Sequence, residues 1–193
     1  MENIELTLEH KKTLIKIARE SITSAVNGNM VPEYKIDDAI LNTMCGAFVT
    51  LHTDGNLRGC IGNTTAKIPL WETIRNMAME SALRDPRFPS VSPRELENID
   101  IEISVLSPLK RINNLEEIEV GKHGLFIKKG FYQGLLLPQV ATDYKWNRIQ
   151  FLEQTCYKAG LSKNCYKQET TEIFIFSAIV FGEKDLEKHR LDK

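Results

Sequence analysis

Apolar positions change period several times along this chain, and each change marks an element. Over residues 7–26, Leu14, Ile15, Ile17, Ala18, Ile22 and Val26 recur at the spacing of one helical face, and Asn27-Gly28-Asn29 supplies the stop. Asp37-Asp38-Ala39-Ile40-Leu41 forms a short turn, after which Gly46-Ala47-Phe48-Val49-Thr50-Leu51 predicts a strand. That strand runs into a hairpin signal at Asp54-Gly55, and Leu57-Arg58-Gly59-Cys60-Ile61-Gly62 returns beside it. Beyond Gly62 the period becomes helical again, with Pro69 suited to the first turn of a helix carrying Leu70, Ile74, Met77, Ala78 and Ala82. Trp71, Met77 and Met79 are expected to pack rather than to act as ligands.

Asp85-Pro86-Arg87-Phe88-Pro89, with Ser92-Pro93 beyond it, ends that helix in a constrained surface connection placed to border a cleft. Ile99, Ile101, Ile103 and Val105 then alternate with Asp100, Glu102 and Ser104, the signature of a half-buried strand. Leu125-Phe126-Ile127 and Leu135-Leu136-Leu137, joined through Lys129-Gly130-Phe131, predict a second hairpin. A helix is expected over residues 143–159, with Gly160 as its cap, and one well-buried strand over residues 173–181. No internal repeat emerges. The pattern is that of an α+β protein with mixed or antiparallel sheets and flanking helices, in which sheet pairing joins early and late segments. Freely separable domains are therefore disfavoured, although a lobe boundary suits residues 106–120.

At 193 residues the chain can bury a sizeable core as one domain or two intimately packed lobes. Lys and Arg total 25 against 26 Asp and Glu, so no global field steers a polyanion, and nucleic acid needs a local patch. Neither a basic flank feeding an apolar run at the start nor an apolar stretch of membrane-spanning length is present, so the chain reads as cytoplasmic, without a membrane partner. Four cysteines, Cys45, Cys60, Cys156 and Cys165, are too few for a disulfide scaffold, and free thiols are expected. Cys156 falls in the apolar period of the helix and is expected in the core. His10, His52, His123 and His189 fit no zinc pattern with these cysteines, so no metal is predicted.

Candidate chemistry gathers at Arg58 and Cys60. In an extended strand the two share a face, where a guanidinium can favour a thiolate or hold an anion. Cys60 reads first as a small buried hydrophobe, and Arg58 equally as the partner of a carboxylate. Gly59 and Gly62 would permit close approach of a ligand, although their spacing fails the dinucleotide and Walker patterns. No histidine adjoins Cys60 to take its proton, which leaves His52 or His123 only as spatial contributors. Phe131-Tyr132 and Tyr144-x-Trp146, near Lys128, Lys129, Lys145 and Arg148, admit RNA contact, but alternation and core packing account for most of these rings.

Leu57-Arg58-Gly59-Cys60-Ile61-Gly62 resembles the signature of the AMMECR-type domain family. The likeness continues through Asp85-Pro86-Arg87-Phe88, Ser92-Pro93-Arg94-Glu95-Leu96, the run from Ile101 to Pro108, Gly134-Leu135-Leu136-Leu137-Pro138-Gln139-Val140-Ala141 and Cys156-x-Lys158-Ala159-Gly160-Leu161. It departs where members often carry Trp after Ala-Gly-Leu and this chain has Tyr166, preceded by Cys165. The resemblance implies one domain over residues 8–183, with a larger and a smaller subdomain around a cleft, followed by a charged tail over residues 184–193. It also implies an accessory or catalytic role in a modification system beside a Memo-like protein and a radical SAM protein. SAM and the iron–sulfur cluster would belong to that partner, since this chain lacks the three-cysteine cluster, and no cofactor is predicted here. In this reading Cys60 contacts or attacks the substrate, a small molecule or peptide, while Arg58, Gly59 and Gly62 bind it. The alternative is a non-catalytic interaction or regulatory domain in which Arg58 and Cys60 preserve a surface.

Overall fold

The computed structural model describes residues 4–65 and 67–186. They form two units, one built from the segment ending at Leu106 together with the segment beginning at Ile179, the other from Ser107–Ala178. The charged tail expected over residues 184–193 lies outside the described residues from position 187 onward.

In the first unit, helix α1 (Leu8–Val26) opens on a reciprocal cap. The Thr7 hydroxyl accepts from the His10 N–H at 3.2 Å and His10 Nδ1 accepts from the Thr7 N–H at 3.2 Å, which satisfies two donors left over at the helix start. Strands β1 (Ala47–Thr53) and β2 (Asn56–Asn63) meet through Asp54 (φ 52) and Gly55 (φ 77), a two-residue turn of left-handed conformers that matches strand twist. Helix α2 (Leu70–Leu83) has no side-chain cap; its Leu70 and Trp71 N–H groups instead donate to the Thr43 and Leu41 carbonyls of the preceding turn. Strand β3 (Ile99–Leu106) pairs antiparallel with β1. Ala47, Val49 and Leu51 on β1 and Ile99, Ile101, Ile103 and Val105 on β3 bury against Leu14, Ala18, Ile22, Ile74 and Ala78 of the two helices. The strand alternation that predicted this face is observed. Strand order is β2-β1-β3-β8, with β8 (Ala178–Gly182) on one edge and the candidate strand β2 on the other.

The second unit carries a four-stranded antiparallel sheet in the order β4-β7-β5-β6. Its strands are β4 (Lys110–Ile112), β5 (Gly124–Lys129), β6 (Tyr132–Leu136) and β7 (Glu172–Phe176). Helices α3 (Pro138–Asp143) and α4 (Arg148–Lys158) pack on it, α4 through Phe151, Leu152 and Cys156. Three expectations change here. The helix expected from residue 143 starts at Arg148, because Asn147 caps it reciprocally with Gln150 and Lys145 before it takes a left-handed φ of 54°. The strand expected over residues 173–181 breaks at Ser177, whose N–H donates to Ser107 Oγ and whose carbonyl accepts from the Ser107 N–H, both at 2.9 Å. Its halves, β7 and β8, enter different sheets. Strand β4, three residues long, is too short for periodicity to reveal.

The free-thiol expectation is also overturned for one pair. Gly160 (φ 74) ends α4 and reverses the chain, and the turn that follows returns Cys165 to the last turn of the helix. Cys156 and Cys165 stand there with Cα atoms 5.9 Å apart and form a disulfide. Cys45 and Cys60 remain free thiols, as expected. No helix among the described residues is long and apolar enough to cross a membrane. Replacing Cys156 and Cys165 together by Ala is expected to lower stability by about 2–3 kcal/mol in urea titration, the loop-closure contribution of a short cross-link. An unchanged midpoint would contradict a structural role for the bridge.

Candidate functional site

β2 is an edge strand, and Arg58 sits where its pairing slips. Leu51 faces Gly59 while His52 faces Leu57, so Arg58 is an extra residue in a β-bulge. The alternation that would place Arg58 and Cys60 on one face does not carry through it. Arg58 Nε donates to Glu95 Oε1 at 2.7 Å and Nη1 to the Pro89 carbonyl at 2.9 Å, and its side chain is only 14% exposed. Glu95 Oε2 accepts in turn from the Ser92 N–H and hydroxyl, each at 2.8 Å. The Arg58 hydrogen bond and the Ser92 N–H hold the Glu95 carboxyl down to about 2. Arg58 therefore pins the segment after α2 to the sheet edge, the carboxylate-pairing role.

Cys60 stands opposite Thr50, and both its backbone groups point off the sheet edge. Its N–H donates to Asp85 Oδ2 at 2.8 Å and its carbonyl accepts from Arg87 Nη2 at 3.0 Å. The pair Thr50–Cys60 is thus the non-hydrogen-bonded type, in which cross-strand side chains lie closest, and Thr50 Oγ1 donates to Cys60 Sγ at 3.3 Å. Asp85, buried at the foot of α2, also accepts from the Arg87 N–H at 3.1 Å, Arg87 Nε at 2.9 Å and Nη2 at 2.6 Å. These hydrogen bonds, led by that of the Arg87 guanidinium, hold the Asp85 carboxyl well below the carboxylate range. Arg87 is shifted up, first by its hydrogen bond to Asp85 and to a smaller extent by Cys60. The cation beside the thiol is consequently Arg87, stacked 5.5 Å from the Phe88 ring and 48% exposed, rather than Arg58.

The glycines serve packing. A Cβ at Gly59 would collide with the Ser81 carbonyl oxygen of α2, and one at Gly62 with the Phe48 ring. The clearance expected to admit a ligand at these two positions is filled by protein. His52 lies two pairs toward the turn from Thr50, opposite Leu57 and Asp100, while His123 belongs to the second unit, where its Nδ1 accepts from the Glu119 N–H. Glu102 faces Thr50 from β3, so the row Cys60–Thr50–Glu102 crosses three strands. Cys45 is buried, which pushes its thiol up to about 11 and leaves Cys60, half-buried, as the more accessible free thiol. Among the described residues no group of His, Cys, Asp and Glu could hold a metal ion. Asp85 and Arg87 lie in the segment expected only to end α2; an Asp two residues before an Arg at a helix end is the signal for a buried pair.

The AMMECR1 family model matches residues 15–181. The chain belongs to the AMMECR1 family. It is 42% identical over 180 residues to a protein of Nanoarchaeum equitans, covering 88% of this chain and 98% of that one. To a protein of Aquifex aeolicus it is 38% identical over 184 residues, covering 90% and 93%. The crystal structure of an uncharacterized protein from Pyrococcus horikoshii shares the fold with a TM-score of 0.83 at 39% identity, over 88% of this chain and 89% of that one. In this AMMECR1 chain the family-type signature strand is thus an edge strand clipped by Asp85, Arg87 and Glu95.

Two outcomes follow from these contacts. Glu95 and Asp85 titrate lower folded than unfolded, so the stability they contribute is complete above the unfolded carboxyl range and is lost as pH falls toward about 2. Urea midpoints measured from about pH 6 to about pH 2.5 should fall, and E95Q should flatten that fall; a slope unchanged in E95Q would contradict the assignment. G59A should lose about 1–3 kcal/mol by overpacking against α2, read in the same titration at neutral pH.

Proposed function

We propose that this chain is a component of a modification system in which the Cys60 thiol contacts or attacks an electrophilic substrate and Arg87 receives an anionic group on it. One arrangement carries the reading: a half-buried thiol beside a half-exposed guanidinium whose inner edge is fixed by buried Asp85. The substrate role weighed for Arg58 passes to Arg87, because Arg58 is engaged with Glu95 and Pro89. Attack requires the thiol proton to leave to solvent; the sulfur then bonds to the electrophilic carbon and the leaving group departs with its electron pair. Association with a Memo-like protein and a radical SAM protein is supported by family resemblance alone, and SAM with its cluster would sit on that partner.

Alkylation of Cys60 in the folded chain, resolved by mass spectrometry, tests this with an anionic and a neutral reagent. Iodoacetate should be favoured over iodoacetamide by about fivefold relative to the unfolded chain, the effect of one solvent-screened charge near the sulfur. R87Q should lose that preference and R87K should keep most of it. A Cys60 inert to both reagents, or one without anion preference, would assign the chain to the non-catalytic interaction class.

A further inference from the structure

The second unit carries an aromatic tip that its own fold leaves uncovered. Lys129 on β5 pairs with Tyr132 on β6, so Gly130 (φ 57) and Phe131 form the two-residue end of that hairpin. Phe131 is 104% exposed and Tyr132 58%, against the expectation that core packing accounts for most of the rings in this group. Tyr132 lies over the end of α4, its ring 3.7 Å from where a Cβ at Gly160 would stand, and α4 abuts β6 where Gly134 meets the Lys158 and Ala159 backbone.

Cations surround this tip. Lys128 and Lys158 are exposed, and Lys129 Nζ donates to the Gln168 amide oxygen beside exposed Lys167. None of these four lysines is ion-paired among the described residues, although Lys128 stands opposite Glu172, which holds Arg111, whereas Lys110, Arg111, Lys122 and Arg148 of the same unit are all ion-paired. Ser107–Ala178 as a whole holds ten Lys and Arg against seven Asp and Glu, in a chain whose formal net charge is −1. The other aromatic group of this unit is engaged within itself: Tyr144, itself 68% exposed, stacks on Trp146 at 4.9 Å, and Arg148 is held by Glu116 and the Ile118 carbonyl.

We propose that the β5–β6 hairpin tip, with Phe131 and Tyr132 as stacking rings and Lys128, Lys129, Lys158 and Lys167 as phosphate contacts, binds single-stranded nucleic acid. Exposed rings among lysines held in no ion pair complement a chain that presents flat bases and phosphates together. An acidic peptide would answer the lysines but not the rings. A bilayer would gain from a single wholly apolar side chain, which is little anchorage. This site is independent of Cys60.

Fluorescence anisotropy of the full chain with labelled single strands of about 20 nucleotides, RNA and DNA in parallel, tests it. Three or four phosphate contacts predict roughly 20- to 50-fold weaker binding at about 200 mM than at about 50 mM salt. F131A and Y132A should each weaken binding about tenfold, and K128E with K158E should do so and lower the salt slope. These side chains are exposed or project from the tip, so thermal unfolding should match the parent. Binding of either strand supports the site, and the RNA to DNA ratio identifies the sugar read. Absent binding, binding indifferent to F131A and Y132A, or capture by anionic vesicles or polyglutamate without capture of either strand would overturn it.

Discussion

An edge strand offers backbone donors and acceptors that something must satisfy, and at Cys60 the Asp85 carboxylate and the Arg87 guanidinium do so as an adjoining strand would. Much of the candidate site follows from this substitution. Because Cys60 turns its N–H and carbonyl outward, its side chain falls in the close cross-strand position against Thr50. Because Asp85 is buried, Arg87 must stay within reach of it, and that holds a cation beside the sulfur. Removing either charge would leave the other without its partner, the costly way to disturb such a pair.

The bulge at Arg58 completes the arrangement by re-aiming a side chain that strict alternation would have left beside Cys60. Its ion pair with Glu95 joins the sheet edge to the Ser92 cap, so the segment from Asp85 to Glu95 is clipped at both ends. Gly59 lets β2 lie against the α2 backbone from the opposite face. The two arginines thus divide the labour: Arg58 fixes the clip, and Arg87 is left with exposed surface.

The second unit uses charge differently. Four of its cations are neutralised by nearby carboxylates, and those around the hairpin tip are not. Its helix α4 is tied to the following turn by the Cys156–Cys165 bridge, with Gly160 reversing the chain between them. The same reversal sets Gly160 beneath Tyr132, so a core feature and a surface feature share one turn.

Local physics was legible in the sequence. The helical period of α1, the alternation of β3 and the Asp54-Gly55 turn each depend on residues a few positions apart, and each formed as expected. The Arg58–Cys60 run was likewise recognisable as the place where chemistry gathers, as was the family likeness it carries. Which cation serves Cys60 was not legible, because a one-residue bulge and a buried carboxylate 25 positions away decide it. The break at Ser177 was likewise settled by a segment 70 positions away, and the disulfide by the turn that folds Cys165 back onto α4. Periodicity reports which face of an element is apolar; only the assembled fold decides what each face, edge and turn then meets.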